Sequence, residues 1–200
     1  MYIAHRWSDR NLTRGELIVS LTMIAVLISV FSTYALRVFA VAERSAVYIT
    51  ISNINTALKF QANYAAYRND WESLYKLESM NPMVFVTNII GNSENAESEY
   101  IDNKSLETVS FNNRYIGEFN FATPELMDKG KWYFDKQNKE LVYLVKNTEF
   151  FTADVDGVPR ISFSINIEYD DVDGNGLFDG IVDRFKSIKL VPKYQYHWDL

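Results

Sequence analysis

Between residues 170 and 183 the chain reads DDVDGNGLFDGIVD, the densest group of oxygen donors in the sequence. With Asp171 as position 1, carboxylate or amide oxygens fall at Asp171, Asp173 and Asn175, a glycine at Gly176, a backbone carbonyl at Leu177 and a carboxylate at Asp179. That is the spacing by which an EF-hand loop presents oxygens on alternate residues to calcium, with a glycine allowing the sharp turn. Position 12 is Val182 instead of a glutamate, and Asp183 follows one place later. The loop therefore suits a shorter D-x-D-x-N-G calcium site, with Asp183, Glu168 or Asp170 completing the shell. Only Arg184 opposes the acids nearby, so a cation would relieve their repulsion. The competing expectation is a plain hairpin in which Asn175 and Gly176 form a type I′ turn and the acids are solvated. A second acidic stretch, Asp154-Val155-Asp156-Gly157, is too short to hold a metal alone and predicts a turn.

No comparable grouping points to catalysis. The two histidines, His5 and His197, lie near opposite ends of the chain, and no nucleophile-elbow, P-loop or zinc motif occurs. The expectation is a non-enzymatic protein with no catalytic residues. The absence of cysteine removes disulfides, thiol nucleophiles and thiolate metal sites together. The formal charge of -6 arises beyond residue 43, where a nucleic-acid partner would demand a clustered basic face. At 200 residues the chain has room for one domain and an appendage, which excludes a large multi-domain enzyme.

Toward the N-terminus, residues 17–36 read LIVSLTMIAVLISVFSTYAL, twenty residues without a charge. At about 1.5 Å per residue they cross a bilayer core of about 30 Å. Arg6, Arg10 and Arg14 precede them, so the positive-inside bias predicts a cytoplasmic N-terminus and a translocated distal domain. A secretory signal peptide has a shorter apolar core. No glycine or proline interrupts residues 17–81, which predicts one helix continuing beyond the membrane. In its second half Val47, Ile51, Ile54, Leu58, Ala62 and Ala65 recur at helical spacing, a stripe set to pack on the distal domain. Pro82 marks the end.

The segment LTRGELIVSLTMIAVL, residues 12–27, with the helix after it, resembles the N-terminus of type IV pilins and type II secretion pseudopilins. The resemblance implies a leader over residues 1–11, a processing site between Asn11 and Leu12 cut by a prepilin peptidase, and Glu16 as the fifth mature residue. In that family the glutamate faces the free amine of a neighbouring subunit's first residue during assembly. Two positions depart from the pattern: Asn11 stands where the peptidase reads glycine, and Thr33 where a proline is common. Thr13 to Glu16 is equally a capping box for a helix start. The segments TALKFQANYAAYRNDWESLYKLESMNPM and GKWYFDKQNKELVYLV are similar to parts of minor pilin-like proteins of mannose-sensitive haemagglutinin type pili. Taken together, the resemblance implies a minor pilin or pseudopilin in the inner membrane. Its domain would be periplasmic or carried on a surface fibre, serving adhesion or protein secretion. Its partners would be other pilin subunits and an inner-membrane assembly platform. The alternative left open by Asn11 is an uncleaved, single-pass periplasmic scaffold or binding protein.

Beyond Pro82 the composition shifts to aromatic and β-branched residues divided by Gly, Asn and Asp, which predicts strands. Residues 83–90 are a short apolar run, and residues 91–105, GNSENAESEYIDNKS, read as an exposed loop. WYFD and ELVYLV flank a four-residue gap, the length of a hairpin connection. Ile161, Phe163, Ile165, Ile167 and Tyr169 alternate with polar residues, so one face is apolar and the other wet. Tyr194, Tyr196 and Trp198 alternate as a terminal strand packing on the core, with a glycan or peptide platform as the lesser reading. The expected fold is α+β: leader 1–11, membrane helix 12–42, amphipathic continuation 43–81, and an antiparallel sheet domain 82–200 bearing the acidic loop 170–183.

Overall fold

A computed structural model describes residues 13–85 and 114–200. Its contacts divide into two compact units, one ending at Phe39 and one from Ala40 to Leu200. The helix α1, Arg14–Tyr67, contributes to both. In the first unit the described side chains of residues 13–39 are exposed, Ala35 alone being half-buried. Among the described residues this is the one helix long and apolar enough to cross a membrane. Two of its hydroxyls bond back to the helix: Thr22 Oγ1 donates to the Ile18 carbonyl at 2.8 Å and Thr33 Oγ1 to that of Ser29 at 3.1 Å. Such back-bonding lets a hydroxyl sit in hydrocarbon without an orphaned donor.

Within the second unit α1 is amphipathic as its spacing predicts. Val47, Ile54, Leu58, Ala62 and Ala65 are buried, Ile51 packs beside them, and Ala40, Glu43 and Ala57 extend the buried face. The helix does not run unbroken to residue 81. Asn69 adopts φ 54°, and the amides of Asn69 and Asp70 donate back to the Ala66 and Ala65 carbonyls. This is a Schellman ending, for which asparagine substitutes for glycine. Asp70 then caps α2, Trp71–Ser79, its carboxylate accepting from the Ser73 amide at 3.1 Å. The stop lacks both glycine and proline, so the absence of those residues from 17–81 does not make one unbroken helix. Pro82 does stand just past the end of α2, but residues 83–85 form a helical turn and not a strand. Residues 86–113, with the expected exposed loop, lie outside the described residues.

Seven strands follow among the described residues: β1, Tyr115–Phe119; β2, Trp132–Asp135; β3, Glu140–Leu144; β4, Phe151–Ala153; β5, Arg160–Asp170; β6, Arg184–Pro192; and β7, Tyr196–Trp198. They form a five-stranded sheet in the order β1-β2-β3-β5-β6 and a two-stranded sheet of β4 and β7. The fold is α+β. The β2–β3 hairpin forms across residues 136–139, with Asp135 Oδ1 accepting from the amides of Gln137 and Asn138. The sheet is mixed, however, because β1 runs parallel to β2. The connection 120–131 is long enough for the crossover that a parallel pair requires.

That crossover also removes the expected wet face near its strands. Trp132, Phe134, Leu141 and Tyr143 face α1, whereas Tyr133, Val142 and Leu144 form a second small core under Phe119, Ala122, Met127 and Val158. Along β5 the alternation survives, Ile161, Phe163, Ile165 and Ile167 being buried. The connection from β4 to β5 turns through Asp154 to Gly157 as the sequence predicts.

Two polar contacts pin α1 to the sheet. Asn55 Oδ1 accepts from the Leu190 amide at 2.7 Å. Glu43, only 7% exposed, accepts from the Tyr143 hydroxyl at 2.8 Å, the amides of Lys146 and Asn147 at 2.7 and 2.8 Å, and Asn147 Nδ2 at 2.6 Å. Four donors satisfy a buried carboxylate that would otherwise be costly.

Candidate functional site: the acidic loop and the helix start

The acidic loop closes the β5–β6 hairpin, in which Asp170 pairs with Arg184. Its interior is organised by its own carboxylates. Asp171 accepts from the amides of Gly174 and Asn175 through Oδ1, at 2.8 and 3.2 Å, and from that of Gly176 through Oδ2 at 2.9 Å. Asp183, 6% exposed, accepts from the Val172 amide at 2.9 Å and the Asp179 amide at 2.7 Å. The Gly176 N–H above all, with those of Gly174 and Asn175, holds the Asp171 carboxyl below the usual aspartate range despite some desolvation.

Carboxylate oxygens of Asp171, Asp173 and Asp183 lie within 4.8 Å of one another. Other expected ligands are arranged differently. Asp179 accepts from the Ile181 amide and stands outside this group. Asn175 Oδ1 accepts from the Leu177 amide at 2.6 Å, and its Nδ2 donates to Asp173 at 2.7 Å. Glu168 pairs with Lys189 and Ser187, and Asp170 with Lys186. The acids are thus opposed by two lysines from β6 as well as by Arg184, which reduces the repulsion that the local sequence suggests. The type I′ alternative also fails. Such a turn needs positive φ at both central residues, and here Gly174 and Gly176 have it while Asn175 does not.

The loop is anchored from outside by an aromatic plug. Phe178 lies 6.1 Å from the Trp71 ring, 5.5 Å from Tyr75 and 5.2 Å from Tyr169, centroid to centroid. Gly180 passes so close to α2 that an added Cβ would fall 2.2 Å from the Trp71 ring. Phe178 and Gly180, to which the oxygen-donor spacing assigns no role, are what dock the loop on α2. Desolvation, and then the charges of Asp179 and Asp183, push the Tyr75 hydroxyl above its ordinary range.

At the start of α1, Thr13 and Glu16 form the capping box. The Thr13 amide donates to Glu16 Oε2 at 2.9 Å, and the Glu16 amide to Thr13 Oγ1 at 3.3 Å. Asn11 and Leu12, the expected processing site, lie outside the described residues, as does His5. His197 is exposed, 3.2 Å from Asp199. The aromatic alternation near the C-terminus builds β7: Trp198 is buried against Phe151 with centroids 4.9 Å apart, and Tyr196 meets Phe163 at 6.2 Å.

Comparison with family models, curated proteins and solved structures finds no significant match to this chain.

Proposed function

We propose that the protein is a minor pilin or pseudopilin, a non-enzymatic structural subunit held in the inner membrane by residues 12–42. The N-terminus is cytoplasmic and the sheet domain periplasmic, or displayed on a fibre after assembly. The observation that supports this reading is one helix with two distinct environments. Residues 17–36 are charge-free, apolar and exposed behind a Thr13–Glu16 cap, and the second half of the helix lays an apolar face under a sheet. A polymer subunit stored in a bilayer needs a helix that lipid can solvate and that can then exchange lipid for like helices. In this reading Glu16 meets the amine of a neighbouring subunit, and the assembly platform and prepilin peptidase are the other partners.

Asn11 favours a second reading, a permanently anchored periplasmic scaffold whose leader is retained. Intact mass and N-terminal analysis of protein from membranes with and without the peptidase separates them. Loss of residues 1–11 only when the peptidase is present supports the pilin, while an intact leader in both supports the anchor and reduces Glu16 to a helix cap.

In the same reading, calcium is a staple in a chain without disulfides. Asp171, Asp173 and Asp183 supply hard oxygens at suitable separation, and each carboxylate retains lone pairs beyond those engaged by amides. Calcium at millimolar concentration is expected to raise the thermal midpoint, and Asp173→Ala to abolish the rise. An unchanged midpoint reduces the loop to a self-capped hairpin.

A further inference from the structure

Among the described residues, no strand pairs with the side of β7 turned away from β4. The Asp154 amide donates to the Gln195 carbonyl at 3.0 Å, and the Asp199 amide to that of Phe150 at 2.9 Å. Backbone groups of residues 195, 197 and 199 therefore face β4, because successive residues of a strand point their N–H and C=O groups to opposite sides. Those of Tyr196 and Trp198 face away. Among the described residues, the Tyr196 N–H and C=O and the Trp198 N–H meet no donor or acceptor. Beside β7 lies a groove of about 560 Å³ lined by Val41, Arg44, Tyr48 and Ile51 of α1 with Tyr196 and Trp198. Tyr48 is 73% exposed there. Arg44 is the one lining side chain of permanent charge, and no ion pair engages it among the described residues.

An unpaired edge is a template for another strand, and native sheets usually shield it with charge, proline or a covering element. Here Tyr196, His197 and Trp198 offer neither proline nor permanent charge, and the adjoining groove is apolar. We propose that this edge takes a third strand: an extended segment of a partner protein with apolar side chains at alternate positions and a carboxylate placed to meet Arg44. Main-chain bonds to Tyr196 and Trp198 supply affinity, the groove selects the alternate side chains, and Arg44 fixes direction and register. This inference is independent of the pilin reading, since it uses only the unit from Ala40 to Leu200.

The test is selection of random nonapeptides displayed on phage against the full chain in detergent, followed by hydrogen exchange with the enriched peptides. Expected are peptides alternating apolar residues with one recurrent Asp or Glu, at least tenfold slower exchange of the Tyr196 and Trp198 amides, and at least tenfold weaker binding to Arg44→Glu. That exposed substitution leaves the core untouched, and reselection against it should replace the acid by Lys or Arg. No enrichment, peptides without alternation, or protection confined to other amides would overturn the proposal.

Discussion

Glu43 and Asp183 are both buried carboxylates met by N–H and O–H donors and not by ion pairs, yet they draw those donors from very different distances. Asp183 reaches amides 11 and 4 residues before it, so it closes a loop upon itself. Glu43 reaches groups 100 to 104 residues after it and closes the helix onto the turn beyond β3. The first kind of contact costs little chain entropy and can form early. The second joins elements that only the completed core brings together. A buried acid therefore marks a local staple in one region and a tertiary one in the other.

Removing the tertiary staple should be the more damaging. Glu43→Ala leaves the Tyr143 hydroxyl and the Lys146 and Asn147 amides without their acceptor, and should cost about 3 kcal/mol in urea unfolding. Glu43→Gln should cost about half as much, because its amide group turns a donor toward donors. Equal losses in the two variants would mean that packing, and not acceptor chemistry, makes the contact.

Undocking the local region should rank next. Gly180→Ala forces a Cβ into the Trp71 ring and should cost about 2 kcal/mol, with altered near-ultraviolet dichroism as Phe178 leaves Trp71 and Tyr75. If dichroism changes while the β5–β6 hairpin keeps its amide protection, the loop is an independent staple resting on α2. Asp183→Asn removes one of two acceptors inside the loop and should cost about 1 kcal/mol, read as faster exchange at Val172 or Asp179. A loss as large as that of Glu43→Ala would erase the distinction between local and tertiary staples.

The smallest effect should come with acid. The Asp171 carboxyl is held below its ordinary value of 3.8, so its ionised form contributes stability that is present above that value and lost as pH falls through the lower folded value. The amide resonances of Gly174 and Gly176 should report this with a midpoint below 3.8. A midpoint at or above it would mean that the amide bonds do not favour the charged form.

Much of the helix is legible in the sequence. The charge-free run over residues 17–36, the buried stripe from Val47 to Ala65 and the Thr13–Glu16 cap all depend on neighbours three or four residues apart, within the reach of periodicity. The β2–β3 hairpin and the alternation along β5 were legible for the same reason. Asn69 was not, because an asparagine in the left-handed region has no fixed sequence signal. Nor was the direction of β1, since a connection of that length permits either orientation.

In the acidic loop, spacing identified the residues but not their division of labour. Asp171, Asp173 and Asp183 converge, whereas Glu168 and Asp170 turn to Lys189 and Lys186 on the facing strand. By itself, then, the sequence determined where the chain is apolar, where a helix begins, which face of it is buried and where oxygen donors concentrate, because each follows from neighbours close in sequence. Only the tertiary structure decided that Glu43 is interior, that Phe178 and Gly180 dock the loop on α2, and that no described strand pairs with one edge of β7. Each of those depends on residues distant in sequence meeting in a packed core, where shape and unsatisfied hydrogen-bonding groups select the partner.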